Sequence, residues 1–241
     1  MLREGMGRGE DVAKAIAADL QGKSQPGRAK NEKAYLKSDL DHVGVPMPAI
    51  RSTVVAALRD AKDLTRAELL AAIAALWDGV HEHRMAAIEL LVKRQKLLTP
   101  RDAKLVEKLL RDSRTWAYVD VLATHGMGPL VVADPSLERT LDRWAKDDNF
   151  WMRRSAMLAL LGPLRTGGGD FARFGRYADA MLDEKEFFIR KAIGWILRET
   201  SRKQPKLVFD WLLPRAARAS GVTMREAVKY LTPAQRARLG R

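Results

Sequence analysis

The sequence predicts an all-α protein, an α-solenoid of stacked helix pairs that is curved and has a basic concave face. Three observations carry this prediction. Almost every apolar stretch of the 241 residues has helical spacing, and none alternates convincingly as a half-buried strand would. Helix start signals recur along the chain. A short arginine-containing pattern also returns at intervals that fit one fixed period.

Helix starts are marked by capping boxes, in which a hydroxyl and a carboxylate or amide satisfy free N–H groups of the first turn. The chain shows this spacing at Thr65 with Glu68, Thr223 with Glu226, and Thr232 with Gln235. Proline also follows Thr99 and Thr232. It then stands at the first helical position, where its missing N–H costs little.

The repeated pattern is arginine, any residue, alanine and an apolar residue. It begins at Arg84, Arg154, Arg190 and Arg225, at intervals of 70, 36 and 35 residues, and a copy missing from the first interval would begin at Val119. Such a period in a helical chain indicates helix pairs of the HEAT or TPR type. The chain lacks the aromatic and glycine signature of TPR repeats, which favours HEAT-like repeats. If the arginines face the concave side, they form a basic groove.

Breaks between helices fall at the segments QGKSQPG, GVPMP, GMGP and RTGGGD. None of them is long enough to separate independent domains. We therefore expect residues 1–241 to form a single HEAT-like repeat domain, in which the residues before about 30 are a peripheral N-terminal helix.

The charge is the unusual property of the chain. Its formal net charge is +13, a balance that favours polyanions such as nucleic acid or an anionic membrane. A membrane-surface protein would collect its cations on one amphipathic helix. Lysine and arginine are instead spread along this chain, which favours an extended anionic partner. The plain alternative is a surface with excess arginine.

Other classes are disfavoured. No apolar run reaches the roughly 18 residues of a membrane-spanning helix, and the first twenty residues lack the pattern of a signal peptide. The absence of cysteine removes disulfides, thiolate metal sites and cysteine nucleophiles. We expect a cytoplasmic protein without a membrane partner.

Residues 184–200 predict an amphipathic helix with an unusual outer side. The opposite side from the core carries Phe187, Arg190, Lys191 and Arg198, and Trp195 lies at the border. A large ring bordered by cations suits an aromatic or anionic partner better than a core. The predicted core arc consists of Ile189, Ala192, Ile193, Ile196 and Leu197.

A second candidate helix spans residues 115–126 and contains Asp120, one turn after Trp116, in largely apolar surroundings. A carboxylate there is exposed, paired with an arginine of a neighbouring repeat, or held for chemistry. A third helix places Trp151 and Arg154 on one face. Three consecutive repeats thus each offer a tryptophan with an ionic side chain, which suggests a single site.

The remaining motifs are weak. His81 and His83 are two residues apart, project to different sides of a helix and lack the HExxH pattern of a zinc helix. The three glycines at 167–169 follow a helix and lack the lysine of a phosphate-binding loop. No Ser–His–Asp arrangement is recognisable. We expect neither a metal nor a cofactor.

The sequence resembles the AlkD-like DNA alkylation repair glycosylases, which are built from HEAT-like repeats. The resemblance runs from about residue 30 to residue 230. It is carried by AYLKSDLDHVGVPMPAIR at 34–51, LWDGVHEHRMAAIELL at 76–91, TWAYVD at 115–120, FWMRRSAML at 150–158 and KEFFIRKAIGWILRE at 185–199. The last of these is the most specific. The family usually has an aromatic residue where this chain has Thr115.

The resemblance implies an enzyme that excises N3- or N7-alkylated purines from duplex DNA in base excision repair. It makes Asp120 the catalytic carboxylate, Trp116 and Trp195 the cleft aromatics, and Arg154 and Arg198 the cations that bind the DNA backbone. Four further residues are predicted to bind DNA, namely Arg190, Lys191, Tyr35 and Trp151.

The expected partner is double-stranded DNA with alkylated bases, bound by a monomer near the nucleoid. The alternative function is a non-catalytic HEAT-like binder of DNA or RNA. A binder would need only the cations, whereas Asp120 with Trp116 and Trp195 favours the enzyme. A protein-interaction scaffold explains neither the charge nor Asp120.

Overall fold

The computed structural model describes the backbone of residues 2–240 and the side chains of residues 7–240. Within these residues all regular structure is helical and no strand occurs, so the all-α prediction is confirmed. The α-helices are α1 Leu2–Gly22, α2 Pro26–Leu36, α3 Met47–Asp60, α4 Arg66–Trp77, α5 His81–Lys93, α6 Ala103–Arg111, α7 Trp116–Val121, α8 Gly128–Ala133, α9 Glu138–Trp144, α10 Phe150–Leu158, α11 Leu161–Arg165, α12 Phe171–Ala180, α13 Phe187–Ser201, α14 Pro205–Leu212, α15 Gly221–Ala227 and α16 Pro233–Arg238. A π-helical segment occupies Leu122–Met127, and short 3₁₀ turns occupy Gln95–Leu97, Pro100–Asp102, Pro135–Leu137, Leu213–Arg215 and Val228–Tyr230. Among the described residues, no helix has both the length and the apolar character needed to cross a bilayer.

The chain forms two compact units. The first consists of residues 1–105 and 112–122, and the second of residues 106–111 and 123–241. In the first unit, α1 packs mainly on α4 and also on α3 and α5. It buries Ala13, Ile16 and Leu20 almost completely, so the N-terminal helix contributes to the core of this unit.

The second unit is centred on α13. This helix packs against α15, α10, α11 and α14. Its predicted core arc is confirmed, because all five of its apolar side chains are fully buried. Burying such a stripe removes apolar surface from water, which is the main stabilising contribution to helix packing. Gly194 allows the close contact with α15, since a Cβ there would lie 2.9 Å from the Thr223 carbonyl oxygen.

Ion pairs between consecutive repeats confirm the period that the sequence predicted. Many side chains pair with a partner 35 or 36 positions away, which is one repeat length. In the first unit the pair is Arg66 with Asp102. In the second unit the pairs are Arg111 with Asp147, Arg143 with Glu107, Arg173 with Glu138, Lys191 with Glu226, Arg215 with Asp179 and Arg218 with Asp183. The protein is therefore a helical-repeat protein in which equivalent positions of neighbouring repeats touch.

The alanines of the repeated pattern are equally buried, whereas its arginines differ in burial. Its alanines are all fully buried, at Ala86, Ala156, Ala192 and Ala227. Its arginines differ, since Arg154 is buried, Arg225 is exposed, and Arg84 and Arg190 are intermediate. The arginines therefore do not form one uniformly exposed row. Three of them donate to backbone carbonyls, Arg84 to Asp112, Arg154 to Phe188 and Arg190 to Glu184.

Two of the three predicted capping boxes are confirmed, at Thr65 with Glu68 and at Thr232 with Gln235. The box at Thr223 with Glu226 is wrong. Ser220 caps α15 instead, accepting a hydrogen bond from the Thr223 N–H, so that Thr223 lies inside the first turn. Glu226 is thereby released from capping, and its carboxylate binds cations.

Candidate functional site

The helix α7 of the first unit begins at a buried threonine. Thr115 is the N-cap residue, and its hydroxyl oxygen accepts a hydrogen bond from the Ala117 N–H at 3.4 Å. Tyr118 and Val119 form the inner face of the helix and are almost completely buried. The Tyr118 hydroxyl lies 2.5 Å from His81 Nδ1 at the start of α5, and its ring contacts Trp77 edge-on. The inner face of α7 is thus held against α4 and α5.

Trp116 and Asp120 lie on the outer face of this helix, because residues four apart project to the same side. Trp116 is 39% exposed, an unusual fraction for the largest apolar side chain, and Asp120 is partly exposed. The arrangement predicted from the sequence, a carboxylate one turn after a tryptophan, is therefore accessible from solvent. Its role in catalysis remains a prediction.

A π-helical segment, Leu122–Met127, follows α7 directly. Such segments are rare and occur frequently at functional sites. Sequence analysis did not identify it, since Leu122, Ala123 and Met127 satisfy ordinary helical periodicity and are all buried. The segment changes the register of the helix immediately after Asp120.

In the second unit, α10 presents its predicted site residues to the interior. Trp151 is only 8% exposed and packs against Phe150 and Phe188, with ring centroids 4.5 Å and 4.8 Å away. Arg154 is 2% exposed, and its guanidinium bonds to the Phe188 carbonyl oxygen and lies over the Phe188 ring. Direct contact between Arg154 and a phosphate would require this side chain to leave its present position.

The outer face of α13 carries the accessible cations. Arg190, Lys191, Trp195 and Arg198 are all partly exposed, as the helical wheel predicted. Arg190 Nε donates to the Glu184 carbonyl oxygen at 2.6 Å. Phe187, at the start of the helix, is 53% exposed and contacts Phe188 edge-on. Sequence analysis placed Phe187 on this face but did not select it. Its signal was an aromatic residue outside the apolar arc.

Glu226 is the centre of a cationic cluster on this unit. Its carboxylate accepts hydrogen bonds from Lys191 at 2.8 Å, from Lys229 at 3.2 Å and from Arg198. Burial alone would raise the pKa of Glu226, but the bonds to the two lysines and the charge of Arg198 outweigh it and lower the pKa to about 2. One acidic side chain therefore holds three cations together, two of which are predicted to bind DNA.

We expect Glu226→Gln to lower the free energy of unfolding on the order of 2 kcal/mol at neutral pH, because three cations lose their partly buried counter-charge. The folded pKa lies below the ordinary value of 4.5, so this stabilisation is complete above about pH 4.5 and lost as the pH falls towards 2. Urea unfolding at several pH values across this range measures the effect. The free energy of unfolding should fall less towards acid pH in the variant than in the wild type. Asp210→Asn, which breaks the exposed pair with Lys206, is the control and should change stability little. Equal losses in both variants would contradict the prediction.

Tyr35 on α2 is the remaining predicted DNA-binding residue. It belongs to the first unit and is 74% exposed, the highest value among the large apolar and aromatic side chains of the described chain. The predicted residues thus divide between the units. Tyr35, Trp116 and Asp120 belong to the first, and Trp151, Arg154, Arg190, Lys191, Trp195 and Arg198 belong to the second.

All-helical structure with ion pairs at the repeat spacing defines the class of a helical-repeat protein. The protein belongs to the DNA alkylation repair enzyme family, because the model of that family matches residues 16–231. No curated protein matches the chain.

Solved structures share this fold. A predicted DNA alkylation repair enzyme from Enterococcus faecalis superimposes with a TM-score of 0.76 at 23% identity, covering 88% of this chain and 98% of its own. AlkD2 from Streptococcus mutans gives a TM-score of 0.58 at 19% identity, covering 84% and 99%. The protein smu.31 from Streptococcus mutans UA159 gives 0.53 at 17% identity, covering 92% and 100%.

Proposed function

We propose that this protein is a DNA glycosylase that releases N3- and N7-alkylated purines from duplex DNA by hydrolysing the N-glycosidic bond. The observation that carries the proposal is the accessible pair on α7, where Asp120 follows the exposed Trp116 by one helical turn. Membership of the DNA alkylation repair enzyme family supports it. Binding alone gives no reason for a carboxylate beside a tryptophan, since like charge repels phosphate.

The chemistry requires few catalytic groups. A purine alkylated at N3 or N7 carries a positive charge, so it leaves readily and needs no general acid. The transition state at C1′ resembles an oxocarbenium ion. The Asp120 carboxylate stabilises that cation and positions the attacking water on the sugar. Trp116, one helical turn from Asp120 on α7, adds cation–π attraction to the developing charge. The reaction uses no cofactor.

Phosphate contacts come from the cations of α13. We assign Arg190, Lys191 and Arg198 to the DNA backbone, where they fix register and carry no sequence information. Part of this binding replaces the contacts with Glu226, so phosphate oxygens take over as acceptors for Lys191 and Arg198. Tyr35 offers an exposed ring to the DNA. Trp151 and Arg154 lie inside the second unit and support the Phe188 end of α13.

The net charge of +13 suits binding to a long anionic duplex, and we propose that the protein acts on DNA in the cytoplasm, at the nucleoid. A monomer is sufficient for this function. A non-catalytic DNA binder of the same family would share the charge and the cations, so binding assays do not distinguish the two functions. Only release of free base does.

The test is incubation of the protein with a duplex that contains N7-methylguanine, followed by chromatographic detection of the free base. We expect release above the spontaneous rate from the methylated duplex and none from an unmodified duplex. Binding to both duplexes should weaken with salt as counterion release requires. Binding without accelerated release would contradict the glycosylase and favour the non-catalytic binder.

A further inference from the structure

Three side chains of types that bind metals, one glutamate and two histidines, lie close together in the first unit. Glu32 is on α2, His42 is in the loop between α2 and α3, and His81 is the first residue of α5. One potential ligand atom from each residue lies within 4.8 Å of the other two. We propose that Glu32, His42 and His81 form a binding site for a divalent transition-metal ion such as Zn²⁺.

Unsatisfied polar atoms support the site. Within the described part of the chain, Glu32 Oε2 and both ring nitrogens of His42 are buried and have no hydrogen-bond partner. Buried polar groups are nearly always bonded, so each exception calls for a missing partner such as water or an ion. A carboxylate oxygen and the unprotonated nitrogen of a neutral imidazole are acceptors, and a cation satisfies both, whereas the N–H of His42 needs an acceptor of its own. The other carboxylate oxygen of Glu32 accepts from Arg28 at 3.2 Å.

The third residue already has the supporting contact that a metal ligand needs. His81 Nδ1 lies 2.5 Å from the Tyr118 hydroxyl, which leaves Nε2 as the nitrogen for a metal. Histidines that bind metals usually donate their other N–H to an acceptor, which fixes the ring and its tautomer. Burial lowers the pKa of His81 to about 4 and also lowers that of His42. Both rings are therefore neutral at neutral pH, as metal binding requires.

The backbone around the cluster is well anchored. The His81 N–H donates to the Asp41 carbonyl oxygen at 2.9 Å, and the Gln25 N–H donates to the Val43 carbonyl oxygen at 2.8 Å. These bonds tie the loop that carries His42 to the first residue of α5 and to Gln25, which immediately precedes α2. The rings of His42 and His81 are stacked in parallel with centroids 4.2 Å apart. His42 must therefore tilt out of the stack to share an ion with His81.

The ligand set selects the class of metal. Two imidazoles and one carboxylate suit Zn²⁺ and neighbouring transition metals, whereas Mg²⁺ and Ca²⁺ prefer oxygen ligands alone. Water supplies the fourth ligand of a three-residue Zn²⁺ site. The sequence prediction of no metal rested on the absence of cysteine and on the spacing of His81 and His83. Glu32, His42 and His81 follow no recognisable spacing in the sequence, so their proximity could not be predicted from it.

The experiment uses the full chain, freed of metal by a chelator and then titrated with Co²⁺ as a spectroscopic probe. We expect one Co²⁺ per chain with visible d–d absorption, displacement by Zn²⁺, and a higher melting temperature with Zn²⁺. His42→Ala should abolish the spectrum, and Tyr118→Phe should weaken binding about 10–100-fold. His83→Ala is the control, since it removes a histidine two residues further along α5 and should leave binding unchanged.

The proposal is overturned if the wild-type chain shows no Co²⁺ spectrum and no Zn²⁺-dependent rise in melting temperature. In that case a proton shared between Glu32 and His42 satisfies the buried atoms instead. A spectrum that survives in His42→Ala, or that is lost equally in His83→Ala, also overturns it. If His42→Ala does not fold, Glu32→Gln serves in its place, because the amide keeps the size of the side chain and removes the anionic ligand.

Discussion

Asp120→Asn should bind alkylated duplex DNA as the wild type does and release free base about 10²–10³ times more slowly, a loss of about 3–4 kcal/mol in transition-state stabilisation. Asparagine has nearly the same size and keeps one oxygen, so the fold and the outer face of α7 should be preserved. It lacks the negative charge that stabilises the oxocarbenium ion. Residual release should remain, because the cationic purine also departs spontaneously. Single-turnover excision of N7-methylguanine measures the effect.

Thermal melting of the same preparation separates catalysis from structure. If Asp120 serves only an ion pair between repeats, Asp120→Asn should lower the melting temperature and leave excision near the wild-type rate. Asp112→Asn is the matched control, since Asp112 is an exposed carboxylate in the loop before α7 and should retain full excision. Unchanged excision in Asp120→Asn would remove the main reason for calling this family member an enzyme.

Local periodicity predicted the elements well because it reflects burial directly. The apolar arc of α13 is buried residue by residue, and the alanines of the repeat are fully buried. The repeat length also appears in the contacts, since ion pairs such as Arg111 with Asp147 and Arg215 with Asp179 join residues one repeat apart. The period of the arginine-containing pattern is thus also the spacing of contacts between residues outside that pattern.

Exposure of individual cations could not be predicted in the same way. A helical wheel places Arg154 on a face with Trp151, but the next repeat supplies Phe188, whose ring and carbonyl oxygen keep the guanidinium buried. Likewise, Thr223 and Glu226 have the spacing of a capping box, yet Ser220 takes the cap three residues earlier. Both outcomes depend on residues outside the helix concerned. The spacing of residues within one helix carries no information about those residues.

The loop between α2 and α3 is the clearest case of a structure that depends on distant residues. Its residues have no regular secondary structure, yet the buried carboxylate of Glu82 on α5 accepts hydrogen bonds from three consecutive N–H groups of the loop. The donors are Val43 at 2.9 Å, Gly44 at 2.6 Å and Val45 at 3.3 Å. Gly44 has a φ of +83°, and a Cβ there would lie 2.2 Å from the Gln25 carbonyl oxygen. The observed path of the loop therefore requires glycine at position 44, and the Glu82 carboxylate stabilises it.

Glu82→Ala should lower the free energy of unfolding by about 3 kcal/mol or more, because it leaves the N–H groups of Val43, Gly44 and Val45 without an acceptor. Gly44 and Val45 are buried and Val43 is partly buried, and a buried N–H group without an acceptor costs about 1–3 kcal/mol. Glu82 itself is completely buried, so water does not easily replace the carboxylate. Glu89→Ala on the same helix is the matched control. Glu89 pairs with the exposed Arg51 side chain, and loss of such a pair costs about 0–1 kcal/mol.

Urea unfolding of both variants measures the difference, with a chelator present so that a metal at His42 and His81 does not contribute. The loss of unfolding free energy in Glu82→Ala should exceed that in Glu89→Ala several-fold. Amide hydrogen exchange in Glu82→Ala should become faster specifically at Val43, Gly44 and Val45. Losses below about 1 kcal/mol in Glu82→Ala would mean that water or another acceptor satisfies these groups. The loop would then be held by its hydrogen bonds with Gln25 and His81, and the carboxylate would contribute little to the path of the chain.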